Sequence, residues 1–189
     1  MRGRHRLAVV SGVLGLLLAP VLSGCGGSAE PQPLPRPTAS LSPSSASPTP
    51  PVLPAAAEEK TKAGAIAFAG NFIEMLNFAG ATGDTQQLRT LYLPLCTRCE
   101  AIADGIDQTY SAGGNISGGS WHPASFRFYG IKNEVAFVDS FVDYDAQTLT
   151  KKQGAKPTVF PASKRNLKAF NLRWTGPEGW KTSALDPNQ

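Results

Sequence analysis

Residues 26–57 most constrain this chain, because their composition predicts a segment unable to fold by itself. They hold nine prolines, six serines and two threonines against two charged residues. No apolar periodicity runs through them, so they bury too little surface to offset their ordering entropy. Proline biases such a segment toward extended polyproline II, at roughly 3.1 Å per residue and so about 100 Å at most. The chain is thereby divided into a short leader, a stalk and a single downstream domain at 58–189, large enough for one core.

The leader has its own logic. Arg2, Arg4 and Arg6 precede an apolar run from Leu7 to Leu18, and small residues follow. That order predicts an export signal over residues 1–24. Ser11, Gly12, Gly15 and Pro20 punctuate the run, which falls short of the roughly 20 apolar residues a spanning helix needs. The arginines are never adjacent, so a twin-arginine signal is not expected.

Leu22-Ser23-Gly24-Cys25 at the end of this run resembles the lipobox of bacterial lipoproteins. The resemblance implies that Cys25 is acylated and becomes the first residue after cleavage. Residues 25–57 are then a lipidated cysteine and its stalk, with the domain on the extracytoplasmic face of the cell membrane. The expected partners are the membrane, through the lipid, and either cell-wall polymer or another envelope protein.

Charge narrows the function classes. The whole chain carries 18 Lys+Arg and 14 Asp+Glu. Without residues 1–24, which hold three arginines and no acid, 15 basic residues face 14 acidic ones, a net of +1. Nucleic acid is therefore not an expected partner. Residues 58–143 are net acidic and residues 144–189 net basic, which predicts two oppositely charged faces. Lys151, Lys152 and Lys156 mark a basic hairpin tip.

The first half of the domain reads as helices. Ala65, Phe68, Ala69, Phe72, Leu76 and Ala79 recur at three- and four-residue steps, predicting a helix over about 60–79. Gly80 and Gly83 end it, and Asp84 can cap a short second helix through Leu88 and Leu91. A third helix is predicted over 96–111, with Cys99, Ile102, Ala103, Ile106 and Tyr110 on one face. The glycines from 113 to 119 predict a flexible turn.

The second half reads as strands. Ser125–Tyr129 alternates. Glu134–Tyr144 is apolar on both faces, predicting a central strand covered at least partly on two sides. Thr158–Ala162 is an expected edge strand because of Pro161. Leu167–Trp174 and a last strand through Trp180, Thr182 and Ala184 flank the turn at Gly176–Gly179. Helices followed by an antiparallel meander predict an α+β class: three N-terminal helices packed on a curved, mostly antiparallel sheet.

This element order resembles the cone-shaped fold named for nuclear transport factor two, shared with polyketide cyclases and ketosteroid isomerases. A more local resemblance is to an uncharacterised family of actinobacterial lipoproteins. It rests on the lipobox, the Pro-rich stalk, Gly83-Asp84, Cys96-Thr97-Arg98-Cys99 and Tyr110-Ser111-Ala112-Gly113-Gly114. That family has no assigned activity to carry over.

Three readings of Cys96 and Cys99 stand. A structural disulfide suits an exported protein. A redox pair would place a thiolate at a helix N-terminus. Zinc needs four ligands, and beyond these cysteines the segment after residue 24 offers only His122 among histidines. The pattern predicts no metal and no cofactor.

Asp139 shares a strand face with Val135, Phe137 and Phe141. A carboxylate enclosed in a cone can have a raised pKa and act as a base. Tyr110, His122, Asp139 and Trp174 are accordingly the candidate pocket residues. No paired catalytic groups appear, so the expected function is a non-catalytic ligand- or partner-binding domain. The alternatives are a small-pocket enzyme of cyclase or isomerase type, resting on Asp139, and a thiol–disulfide oxidoreductase, resting on Cys96 and Cys99.

Overall fold

The computed structural model describes residues 48–186. Cys25, the export leader and most of the stalk lie outside the described residues.

Three helices come first: α1 (Lys62–Thr82), α2 (Gln86–Thr90) and α3 (Thr97–Ser111). The Thr61 side chain accepts from the Gly64 amide at 3.0 Å and so caps α1. Gly83 ends α1 with φ +79°, and its missing side chain leaves room for the Tyr110 ring. The whole predicted apolar stripe of α1 is buried. Asn71, Ile73 and Met75 are buried as well, so α1 is covered on more than one side.

Seven strands follow: β1 (Asn115–Gly118), β2 (Trp121–Lys132), β3 (Val135–Tyr144), β4 (Gln147–Thr150), β5 (Thr158–Phe160), β6 (Ser163–Trp174) and β7 (Trp180–Leu185). They form two antiparallel sheets rather than one. The larger has the order β2-β3-β6-β7 and the smaller β1-β4-β5. The class is therefore α+β, with three helices and two antiparallel sheets. The supposed flexible turn after α3 contains β1, which pairs with β4 through Ile116–Leu149 and Ser117–Thr148. Gly114 makes that approach possible, because a side chain there would run into the carbonyl of Thr150.

The core lies between α1 and the larger sheet. Ala136, Val138, Ser140 and Val142 of β3 turn toward the helices and are at most 1% exposed. Phe170 and Leu172 on β6 join them, and Phe170 meets Phe72 of α1 edge-on with ring centroids 5.9 Å apart. The other face of β3 is less covered. Phe137 is 38% exposed there, while Val135, Asp139 and Phe141 are half-buried, so the cover on the second face is only partial. The free edge of β7 is met by the segment after α2, where Leu91 and Leu93 exchange backbone hydrogen bonds with Thr182.

The folded part also begins before residue 58. Residues 55–58 form a 3-10 turn with Ala57 1% exposed. Asn71 donates to the Val52 carbonyl at 3.2 Å, and the Trp180 indole donates to the Glu59 carbonyl at 2.9 Å. Residues 52–59 thus form a strap over α1 and β7, which moves the boundary placed at 57/58 into the Pro-rich segment. Anchoring here comes from Ala57 and from satisfied carbonyls, neither of which composition reveals.

Candidate functional site

An open cleft of about 620 Å³ runs between the C-terminal half of α1, α3 and the smaller sheet. That volume falls within the range of small-molecule sites. Leu76, Ile102, Ile106, Ile116 and Leu149 supply its apolar walls, and Trp121 closes one end. Polar side chains come from the β1–β4 side at Ser117, Ser120 and Gln147, and from the helices at Asn77 and Thr109. No ionisable side chain lines it.

Trp121 is held from two sides. Asn77 of α1 donates to its carbonyl at 2.9 Å and accepts from its amide at 2.8 Å, which fixes the start of β2 on the helix. Its ring lies 5.0 Å from that of Tyr144, tilted by 50°. The Lys168 ammonium sits 5.5 Å from the Trp121 ring centroid. That ammonium is already neutralised: it donates to Asp186 at 2.6 Å, and Asp186 also accepts from the Ala169 amide at 2.9 Å. Both side chains are nearly buried, at 9% and 1% exposure.

The four predicted pocket residues do not converge. Asp139 lies on the outer face of the larger sheet, where it accepts from the Tyr129 hydroxyl at 2.8 Å. It pairs with Arg127 and Ala169 across that face. His122 is exposed and pairs with Asp145 at 2.8 Å. Tyr110 is half-buried beneath Gly83, with its hydroxyl donating to the Gly80 carbonyl at 2.8 Å. Trp174 stacks edge-on with Trp180 in a separate hollow under the strap. The expected grouping failed because β3 turns its small residues inward, leaving Asp139 outside with the bulkier Phe137 and Phe141.

Cys96 and Cys99 form a disulfide at the start of α3, with Cα atoms 5.3 Å apart. Each is 1% exposed. A redox site needs an accessible sulfur, so this burial favours the structural reading. No group of three or more His, Cys, Asp or Glu suited to a metal occurs among the described residues.

One cluster escaped the sequence reading. Arg89 of α2 donates to Glu100 at 2.8 Å and to Asp104 and Asp107 at 2.7 Å each, all on α3. It also donates to the Tyr92 hydroxyl, which in turn donates to Glu100 at 2.8 Å. The hydrogen bonds to Asp104 and Asp107 push the guanidinium pKa above its ordinary value. Burial raises Asp107, but hydrogen bonds from Arg89 and Thr85 outweigh it and hold the carboxyl below the usual range. Burial, then the bond to Glu100, pushes Tyr92 up to about 12. The signal was present: acids at 100, 104 and 107 share one helix face and demand a cation. The Lys168–Asp186 pair offers no comparable signal.

An α+β domain with an uncharged cleft and a clamped helix pair is therefore the class this chain represents. The chain belongs to the DUF6318 family, a family of unknown function, whose match spans residues 38–185. No curated protein sequence matches it. Among solved structures it is similar to the intermembrane space region of the chloroplast protein ARC6, at 10% identity and a TM-score of 0.49, over 68% of this chain and 96% of that one. It is also similar to a putative aromatic ring hydroxylase from Novosphingobium aromaticivorans, at 12% identity and a TM-score of 0.43, over 62% and 82%. The beta subunit of a putative aromatic-ring-hydroxylating dioxygenase from the same organism follows, at 10% identity and a TM-score of 0.38, over 64% and 86%.

Proposed function

We propose that this protein is a membrane-anchored cell-surface lipoprotein whose cone-shaped domain, of the type named for nuclear transport factor two, binds a ligand without transforming it. The observation that carries the reading is the cleft itself. It has the volume of a ligand site, yet its lining offers hydroxyls, amides and aliphatic surface rather than an acid–base pair. The leader ending in Leu22-Ser23-Gly24-Cys25 supports export and lipid attachment, and the Pro-rich segment supports a spacer. Asp139, which an isomerase would need inside, faces outward. Burial of Cys96 and Cys99 counts against a thiol–disulfide enzyme.

Two measurements test this reading. Cys25→Ala should move the protein from the membrane to the soluble fraction of cells, and unchanged processing and fractionation would refute the anchor. Native mass spectrometry of the wild-type chain, taken from its own membranes, should show a non-covalently held small molecule. A spectrum of the unliganded mass alone would refute the binding role.

A further inference from the structure

We propose that the cleft between α1, α3 and β1 takes a neutral amphiphile, with an alkyl or isoprenoid body and an uncharged hydroxyl- or amide-bearing head. This rests on the reading of the domain as a binding module.

The cleft's chemistry sets the class. A charged group entering it would lose water and meet no opposite charge, because none of its lining side chains is ionisable. The Lys168 ammonium near Trp121 is already paired with Asp186. Leu76, Ile102, Ile106 and Ile116 fit alkyl surface, and the Trp121 ring adds a flat apolar wall. Ser117, Ser120 and Gln147 stand on the strand side, while Asn77 and Thr109 on the helices already bond the Trp121 backbone and the Gly105 carbonyl. An elongated molecule with one polar, uncharged end matches that division.

Two glycines in the wall give an independent line of argument. Gly105 lies inside α3 and Gly80 near the end of α1, and a side chain at either would meet nothing within 4 Å. Glycine inside a helix is unfavourable relative to alanine. The Tyr110 hydroxyl reaches the Gly80 carbonyl at 2.8 Å, but nothing packs where either side chain would stand, and Gly105 lies at the exposed lip of the cleft. What these glycines do provide is width in the cleft.

The test uses the full chain in its own membranes. The probe is a diazirine-bearing analogue of 1-monooleoylglycerol, photolysed and mapped by peptide mass spectrometry. Cross-links are expected on residues 101–121 and should disappear with excess unmodified 1-monooleoylglycerol. The matching diazirine fatty acid, a carboxylate, should label at least about tenfold less, a factor worth about 1.4 kcal/mol. Gly105→Leu and Gly80→Leu, which fill the cleft from opposite helices, should each reduce labelling by a similar factor. Cross-links outside the cleft, equal labelling by the carboxylate, or full labelling of both leucine variants would overturn the proposal. A charged molecule found by native mass spectrometry would also overturn it, while leaving the binding role intact.

Discussion

Replacing Arg89 with methionine should separate α2 from α3 and change how stability depends on pH. The guanidinium holds three carboxylates, at 2.7 to 2.8 Å. Hydrogen bonds to charged groups contribute about 1.5–3 kcal/mol each when well buried. Here the guanidinium is 31% exposed and the carboxylates 43–47%, so solvent screening discounts each pair strongly. The expected cost of Arg89→Met at pH 7 is about 2 kcal/mol, from three screened pairs at up to about 1 kcal/mol each and from three acids left facing one another. In a domain of this size that lowers the melting temperature by roughly 8 °C. The pH response has a definite sign. Asp107 has a folded pKa below its ordinary 3.8. Its contribution is therefore present above about pH 4 and is lost as the pH falls through the folded value. In the variant the unpaired acids repel, so protonating them relieves strain. The gap between wild type and variant should be widest at pH 7 and should narrow toward pH 4. Urea denaturation at pH 7, 5.5 and 4 measures both effects. A loss under about 0.5 kcal/mol, or a gap that stays constant with pH, would refute the clamp.

Two further outcomes follow from other contacts. Replacing both Cys96 and Cys99 with alanine should cost about 2 kcal/mol, the chain-entropy value for a four-residue loop, and thermal melts should show a drop of several degrees without loss of fold. Lys168→Met should cost about 3 kcal/mol, the low end for a broken buried pair, because the Asp186 carboxylate, 1% exposed, keeps as its cation only the longer contact to Arg98 at 3.6 Å; denaturant titration checks this, and a loss below about 1 kcal/mol would show that the pair is not needed.

How much was legible in the sequence depended on what kind of signal each element carries. Helix α1 announced itself because its buried residues recur at the helical period and Gly83 ends them, although Gly80, also read as a stop, lies inside the helix. The strands β1 and β4 did not. Each is four residues long, and β1 reads Asn-Ile-Ser-Gly, so their pairing is decided by long-range approach past Gly114 rather than by local pattern. On β3 the alternation was correctly periodic, but two apolar faces leave the choice of inner face undecided. Bulky Phe68 and Phe72 on α1 favour the face carrying Ala136, Val138, Ser140 and Val142, and Asp139 goes outward in consequence. The cleft was not legible, because its walls come from segments up to 73 residues apart, Leu76 to Leu149.

The strap over α1 has a mechanical consequence. Its attachments run in series: the Val52 carbonyl on Asn71, then Ala57 in the core, then the Glu59 carbonyl on the Trp180 indole. Tension applied to the chain upstream of Pro48 therefore loads these contacts one at a time, as a peel, before it reaches the first turn of α1. A peeled strap adds slack between the point of pull and α1. The cleft shares no lining residue with the hollow beneath the strap, so the domain can give way at its N-terminal side while the walls of the cleft keep their shape.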